Sequence, residues 1–397
     1  PGVYIDEVPG GARPIQAVGT RTAGFVGVAP NPDARLDQAV AINNWTEFRS
    51  QFFPEKDPDK HWTHLAYGVY GFFLNGGSRC YVVNVGNKTD VTPNPLSGGG
   101  GPESGLDILA RIDEVAIVAA PGCTDDSSYG FLLSHCTNLH DRVAILDGSP
   151  VLDKEALKQL SGEGEGEQEN AAPGLWTKPG KSESGETTLY VPWIYVSNPD
   201  RDAEQKTVLI PPSGHIAGVW ARSDALRGVH KAPANEIVHG VLKLQHRISH
   251  TEQGPLNMQG VNCIRYFQNE GCLVWGARTY TKNSNWRYLN VRRLFNYVEE
   301  SILLGTQWVV FEPNDMDLWQ RVKRTIGAFL VRTWRDGALF GATPAEAFFV
   351  KCDGENNTAE TIDAGQLIVD IGIAPVKPAE FVVFRLAQFS GGTSLSE

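Results

Sequence analysis

Ser213, Gly214 and His215 place a hydroxyl and an imidazole two positions apart. A serine hydrolase needs the imidazole bonded to the hydroxyl, a third group orienting it and a turn that exposes the nucleophile. No GxSxG elbow occurs in the chain, and neighbours on one backbone rarely form a triad unaided, so hydrolysis is not expected here. His246 and His250 are four apart and would share a face of a helix, as two zinc ligands do. The sequence has no glutamate next to His246 and sets no third ligand, so a polar helix face is the expectation. His61 with His64, and His135 with His140, make weaker pairs. Asp353, Glu355, Asn357 and Glu360 alternate oxygen donors but lack the glycine and final glutamate of an EF-hand loop, and predict a polar hairpin turn.

The remaining patterns are also incomplete. The Gly98–Gly101 run is not followed by Lys-Ser or Lys-Thr and does not join a strand to a helix, so it predicts a linker and not a phosphate loop. The turn PGCTDDSS lacks a GxGxxG fingerprint, and its Thr, Asp and Ser residues suit a helix N-cap. Carboxylates adjoin at Asp125-Asp126 and Glu299-Glu300. The second pair shares a predicted helix with Arg292 and Arg293, which predicts surface ion pairing. The six cysteines (Cys80, Cys123, Cys136, Cys263, Cys272, Cys352) form no CxxC pair and sit mostly in apolar runs, as buried free thiols do. No catalytic residue, cofactor site or metal site is predicted.

The elements that would carry such groups are legible in outline. A strand-like Val3–Val8 lies in a Pro- and Gly-rich opening. A β-rich core begins at Thr22–Pro30, followed by helices over Trp45–Phe53 and His64–Leu74 and a strand over Arg79–Val85. Residues 87–105 read as a loop and a domain boundary. Val115–Ala120, a helix near Ser127–His140 and Val143–Leu146 form a βαβ unit, which calls for a parallel sheet. Ser161–Glu169 is acidic and of low complexity, and the polar stretch to about Glu186 predicts an exposed insertion. Strands follow at Leu189–Val196 and Thr207–Ile210. A helix starts near Ser213, with Ile216, Val219, Trp220 and Leu226 on its apolar face.

A second boundary is expected at 250–262. Beyond it lie a strand Leu273–Arg278, a helix Val291–Leu304, a strand Trp308–Phe311 and a helix Asp317–Asp336. Strands Ala347–Lys351 and Gln366–Ile373 and a terminal strand Glu380–Gln388 complete the chain. The last long helix carries Arg321, Lys323, Arg324, Arg332 and Arg335 beside an apolar stripe of Ile326, Leu330 and Trp334. One face packs, and the other offers positive charge to solvent or to an acidic partner.

The chain has 397 residues, 41% apolar and 20% charged, enough for two or three domains of ordinary globular composition. No apolar run approaches the ~18 residues that cross a bilayer. The opening PGVYIDEVPG lacks a signal-peptide pattern, so synthesis in the cytoplasm without classical export is expected. A net charge of −11 argues against nucleic-acid binding.

Several segments in order resemble one family. PGVYIDEV and GTRTAGFVGVAP near the start, FFLNGGSRCYVVNV at Phe72–Val85, GARTY at Gly276–Tyr280 and NVRRL at Asn290–Leu294 are similar to contractile tail sheath proteins of phages and phage-tail-like injection systems. So are TQWVVFEPND at Thr306–Asp315, GALFGATPAEAFFVKCD at Gly337–Asp353 and IAPVKPAEFVVFRLAQ at Ile373–Gln388. Residues 106–262 match only in their α/β character.

The resemblance implies a fold of mixed α/β and α+β domains: a C-terminal α+β sheath domain completed by N-terminal strands, with an inserted α/β domain containing a parallel sheet. The expected divisions are an N-terminal arm over 1–20, part of the core over 21–90, and an outer α/β domain over 106–255 with its acidic loop at 161–187. A tube-facing core over 260–377 and a C-terminal arm over 378–397 follow.

It also implies a non-enzymatic subunit, stacked as hexameric rings around an inner tube, whose contraction drives that tube through a target membrane. Its partners would be further copies of itself, paralogous sheath subunits, the tube protein, and baseplate and tail terminator proteins. Nucleic acid and direct membrane insertion are not expected. Assembly would take place in the bacterial cytoplasm, as part of a phage tail or a released tail-like particle. Val3, Tyr4, Ile5 and Val8, and Phe381, Val383, Phe384 and Leu386, are the expected inter-subunit arms, because isolated strands can add to a neighbour's sheet. Arg321, Lys323 and Arg324 are the tube-facing candidates. An α/β enzyme of hydrolase type and a non-contracting tail or baseplate protein are the alternatives.

Overall fold

The computed structural model describes residues 14–87, 96, 105–162, 178–200 and 202–385. The first stretch holds β1 (Ala23–Gly27), β2 (Ala39–Ile42), α1 (Trp45–Phe52), α2 (His64–Leu74) and β3 (Cys80–Asn84). Asn44 starts α1 by accepting the Glu47 N–H at 2.9 Å, and Thr63 does the same for α2. Next come α3 (Leu106–Leu109), β4 (Ile117–Ala119), α4 (Asp126–Leu139), β5 (Val143–Asp147) and α5 (Lys154–Ser161). Asp125, in the PGCTDDSS turn, is the N-cap of α4.

Beyond residue 178 lie β6 (Thr187–Val191), β7 (Ile194–Ser197), β8 (Thr207–Ile210), α6 (Ser213–Arg227), β9 (Glu236–Ile237) and β10 (Lys243–Leu244). α7 (His250–Met258), β11 (Val261–Phe267) and β12 (Gly271–Trp275) follow. The last stretch holds α8 (Leu289–Gly305), α9 (Met316–Arg335), α10 (Pro344–Ala347), β13 (Phe348–Lys351), α11 (Ala359–Asp363) and β14 (Asp370–Ile373).

One nine-stranded sheet, ordered β2-β3-β1-β4-β5-β6-β11-β12-β9, organises most of the chain. From β3 through β11 all neighbours are parallel, and β2, β12 and β9 add antiparallel edges. Strands β1, β5 and β6 are buried along their whole length, as a sheet covered on both faces requires. Side chains alternate between two cores. Phe25 and Ile145 point to the layer with Phe48, Phe72 and Trp220, whereas Val26 and Leu146 point to the layer with Leu132, Leu157 and Leu256. A third core joins α8, α9 and the β13–β14 hairpin through Leu294, Val298, Leu318, Phe329 and Leu330.

The βαβ unit β4-α4-β5 is parallel, as expected. The expected domain plan does not match sheet membership. β1 pairs with β3 on one side and β4 on the other, so 21–90 and 106–255 build one sheet, and β11 and β12 extend it past residue 260. The C-terminal unit is not completed by the N-terminal strands among the described residues. Its hairpin has two strands, and the N-terminal contribution to its core is the side chain of Ile15.

Smaller expectations also change. Leu189–Val196 is two strands, β6 and β7, in different sheets. Trp308–Phe311 is not a strand: 307–309 form a 3₁₀ turn, and no strand among the described residues pairs with the segment to complete a ladder. Leu226 is exposed, since it follows the part of α6 that packs against α2. Of the expected terminal strand Glu380–Gln388, residues 380–385 are unpaired in any sheet, and 386–388 lie outside the described residues.

Candidate functional site

The hydrolase pattern is dismantled by the fold. Ser213 is the first residue of α6 and is buried; its N–H and hydroxyl both donate to Asp147, the last residue of β5, at 2.8 and 2.7 Å. Asp147 accepts a third bond from the Gly122 N–H at 3.1 Å. Burial pushes its carboxyl up to about 6, with these bonds opposing the rise. His215 points elsewhere, into the α2–α6 contact, where burial lowers it to about 4 and neither ring nitrogen has a hydrogen-bond partner among the described residues. Asp147 therefore caps a helix, and the hydroxyl and the imidazole never meet.

His246 lies in a loop and His250 begins α7, so the two do not share a helix face. His246 reaches Glu252 at 3.4 Å instead. The 353–360 segment is the expected polar turn: Asp353 and Asn357 bond to its own backbone. The glycine run 98–101 lies outside the described residues. Of the ion pairs expected on this helix, Arg292–Glu299 forms, with its glutamate half-exposed, whereas Arg293 turns away to another element. Both arginines are buried; Arg292 pairs with Glu299 at 3.1 Å and lies over the Trp286 ring at 4.2 Å, while Arg293 pairs with Asp224 of α6.

What the fold leaves unpartnered lies in the C-terminal unit. Alternate residues Leu367, Val369, Ile371 and Ile373, in and before β14, face α8 and α9 across an open groove of about 1000 Å³. Leu303 and Ile326 contribute to its helical walls, and Phe311, exposed and at φ 68°, stands at its margin. No strand other than β13 pairs with β14 among the described residues. The same chain carries Phe381, Val382, Val383 and Phe384 as consecutive exposed apolar residues. Val3, Tyr4, Ile5, Val8 and Leu386 lie outside the described residues.

On α9, Leu318, Val322, Ile326, Phe329 and Leu330 face the core. Trp334 is half-buried, and Ala328 is exposed. Arg321 is engaged, pairing with Glu312 at 3.1 Å and lying over Trp308. Lys323 and Arg324 are exposed, and neither has an ion-pair partner among the described residues. The fold thus divides the three basic candidates into one tied to its own surface and two presented outward.

Two buried ion pairs were not singled out from the sequence. Arg293–Asp224 and Arg278–Glu380 join residues 69 and 102 positions apart. Their only sequence signal is that both arginines sit in segments carrying the family resemblance, GARTY and NVRRL.

Residues 181–280 match the phage tail sheath protein central domain, and residues 281–389 the phage tail sheath C-terminal domain. The tail sheath protein of Salmonella phage ViI is 29% identical over 209 residues, covering 52% of this chain and 32% of that protein. The chain therefore spans about a third of that relative's length. A putative prophage major tail sheath protein of Pseudomonas aeruginosa (strain UCBPP-PA14) is 22% identical over 78% of this chain and 77% of its own.

Among solved structures, a chain of the extracellular contractile injection system PVC sheath complex, in its contracted state, is 30% identical. It has a TM-score of 0.74 and covers 98% of this chain and 97% of that one. A chain of the anti-feeding prophage helical sheath, also contracted, is 29% identical with a TM-score of 0.75, covering 98% and 99%. With two sheath domains matched in order and an end-to-end relative at 30% identity, the chain belongs to the contractile tail sheath protein family.

Proposed function

We propose that this protein is the repeating subunit of a contractile sheath. It polymerises as stacked hexameric rings around an inner tube, meets baseplate and terminator proteins at the ends, and shortens to drive the tube through a membrane. The observation that carries the reading is the end-to-end similarity to the PVC sheath chain.

Two features of this chain support a mode of assembly. Phe381, Val383 and Phe384 are exposed on a terminal segment, and a groove beside β14 in the same chain offers an apolar lining to an extended segment. A tail from a second copy seated there gains backbone bonds from the strand edge and pockets for alternate side chains. Val3, Tyr4, Ile5 and Val8 form the equivalent N-terminal arm. Such links persist while folded bodies slide, so contraction is a change between two packings of unchanged chains. Lys323 and Arg324, with Arg321 beside them, face an acidic surface on the tube.

Electron microscopy of the chain produced with its tube protein tests this against a truncation after Lys377. Striated tubular sheaths from the full chain alone support both sheath and arm. Compact particles from both chains overturn the reading.

A further inference from the structure

We propose that Arg278 and Glu380 form a latch that fixes where the C-terminal arm leaves the molecule and gives the arm two lengths. The functional meaning of this inference rests on the arm reading above; its geometry does not.

Arg278 is held by contacts that do not involve Glu380. Its backbone N–H donates to Asn262 Oδ1 at 2.8 Å, and its carbonyl accepts from Asn262 Nδ2 at 2.8 Å, so one β11 side chain clamps both ends of the residue. Gly276 makes room for that clamp: a Cβ there would lie 2.8 Å from Asn262 Oδ1. The guanidinium also donates to the Asn257 carbonyl at 2.9 Å, at the end of α7. A planar fork held this way offers two parallel donors to one carboxylate. Glu380 takes both, Nε to Oε1 at 2.9 Å and the terminal nitrogen to Oε2 at 2.5 Å. The side chains are 8% and 15% exposed, so solvent screens the pair little.

The arm around it is otherwise free. Val376 is held in the C-terminal unit, with its N–H on the Ala338 carbonyl at 3.2 Å and its carbonyl on Asn290 Nδ2 at 3.0 Å. Among the described residues, no hydrogen bond or ion pair other than those of Glu380 holds 377–385. Glu380 therefore straps the chain back from the C-terminal unit to the body of the nine-stranded sheet. With the latch closed, the free arm starts at Phe381; with it open, it starts at Lys377. Four more residues at about 3.3 Å each add about 13 Å of reach. An arm seated in a neighbour can then follow a change in subunit spacing by opening one ion pair, without leaving its groove.

The test is a distance distribution by pulsed electron resonance on the full-length chain. Spin labels go on Tyr266→Cys and on Phe381→Cys, next to the pinned Glu380, in a Cys123→Ser background, since the other five cysteines are buried. The expected result is a narrow distribution in this parent. In both Glu380→Gln and Arg278→Met it broadens and extends by up to about 13 Å, with the melting transition retained. An unchanged narrow distribution in both variants overturns the latch, as does a broad one in the parent. Loss of the melting transition in both also overturns it, because the pair would then hold the fold and not the arm. Sheaths formed by the Lys377 truncation would remove the arm reading but leave these distances as they stand.

Discussion

Arg293 on α8 and Asp224 near the end of α6 form a two-pronged ion pair, at 3.0 and 2.7 Å, whose side chains are 3% and 1% exposed. Thr20, ahead of β1, donates its hydroxyl to Asp224 at 2.6 Å and accepts Arg293 on its carbonyl at 2.9 Å. The guanidinium also lies 4.8 Å from the Trp220 ring centroid. Three segments far apart in sequence thus meet on one pair of opposite charges, where the C-terminal unit joins the sheet layer.

Asp224→Ala leaves the Arg293 charge buried without its counter-ion. Removing one partner of such a pair costs about 3–5 kcal/mol, far more than a surface pair is worth. Denaturant titration should show a loss of that size. Pairing Asp224→Leu with Arg293→Met should recover most of it, because both charges are then gone. A loss below about 1 kcal/mol for Asp224→Ala would mean that the pair does not hold the junction.

Helices α2 and α6 cross at glycines. A Cβ at Gly214 would lie 2.2 Å from Gly68 Cα, and one at Gly218 would lie 2.4 Å from the Phe72 carbonyl oxygen. Neither obstacle is a flexible side chain, so the helices themselves must separate. Gly214→Ala should therefore destabilise by about 1–3 kcal/mol or more, read as a lowered thermal midpoint. Gly130→Ala is the control, since a Cβ there meets nothing within 4 Å.

Asp147 and His215 should pull stability in opposite directions with pH. The Asp147 carboxyl is raised from 3.8 to about 6 by burial, so between those values the folded state holds a proton that the unfolded chain has released. Its contribution is full below about pH 4 and is lost as pH rises to 6. His215 is lowered from 6.5 to about 4 by burial, so its contribution is present above 6.5 and is lost as pH falls to 4. Asp147→Asn removes only the first effect. The stability difference between it and the parent should change by about 2 kcal/mol between pH 4 and pH 6, in the sense that the variant loses more on acidification. Denaturation midpoints at pH 4, 5, 6 and 7 check this; parallel curves would show that Asp147 does not titrate in that window.

Lys323→Glu with Arg324→Glu reverses two exposed basic residues of α9 that have no ion-pair partner among the described residues, while Arg321 stays on Glu312. Exposed substitutions of this kind shift stability by about 0.5 kcal/mol or less, so the chain should fold normally. Tube-templated assembly should be abolished, judged by counting sheathed tubes in micrographs. Normal particles from the double variant would move the tube contact elsewhere.

Local pattern alone determined a good deal of this protein. Periodicity and capping residues located α1, α2, α4, α8 and α9, because a helix satisfies its own backbone and its signals lie within one stretch of chain. The apolar runs at Val115–Ala120 and Val143–Leu146 likewise announced parallel strands covered on both faces. The ordered segments at the two ends carried the family resemblance.

Partnership was decided by the tertiary structure. The Gly- and Pro-rich composition near residue 100 predicts a loop, and that says nothing of whether the strands on either side share a sheet; here β1 and β4 lie side by side. Trp308–Phe311 has strand-like composition, but a strand requires a second strand beside it, and none of the described strands pairs with it. Arg293 and Asp224, and Arg278 and Glu380, are ordinary charged residues until folding brings them together across long spans of sequence. A helix is encoded where it stands, whereas sheet order and buried ion pairs are properties of residues that meet only when the whole chain has folded.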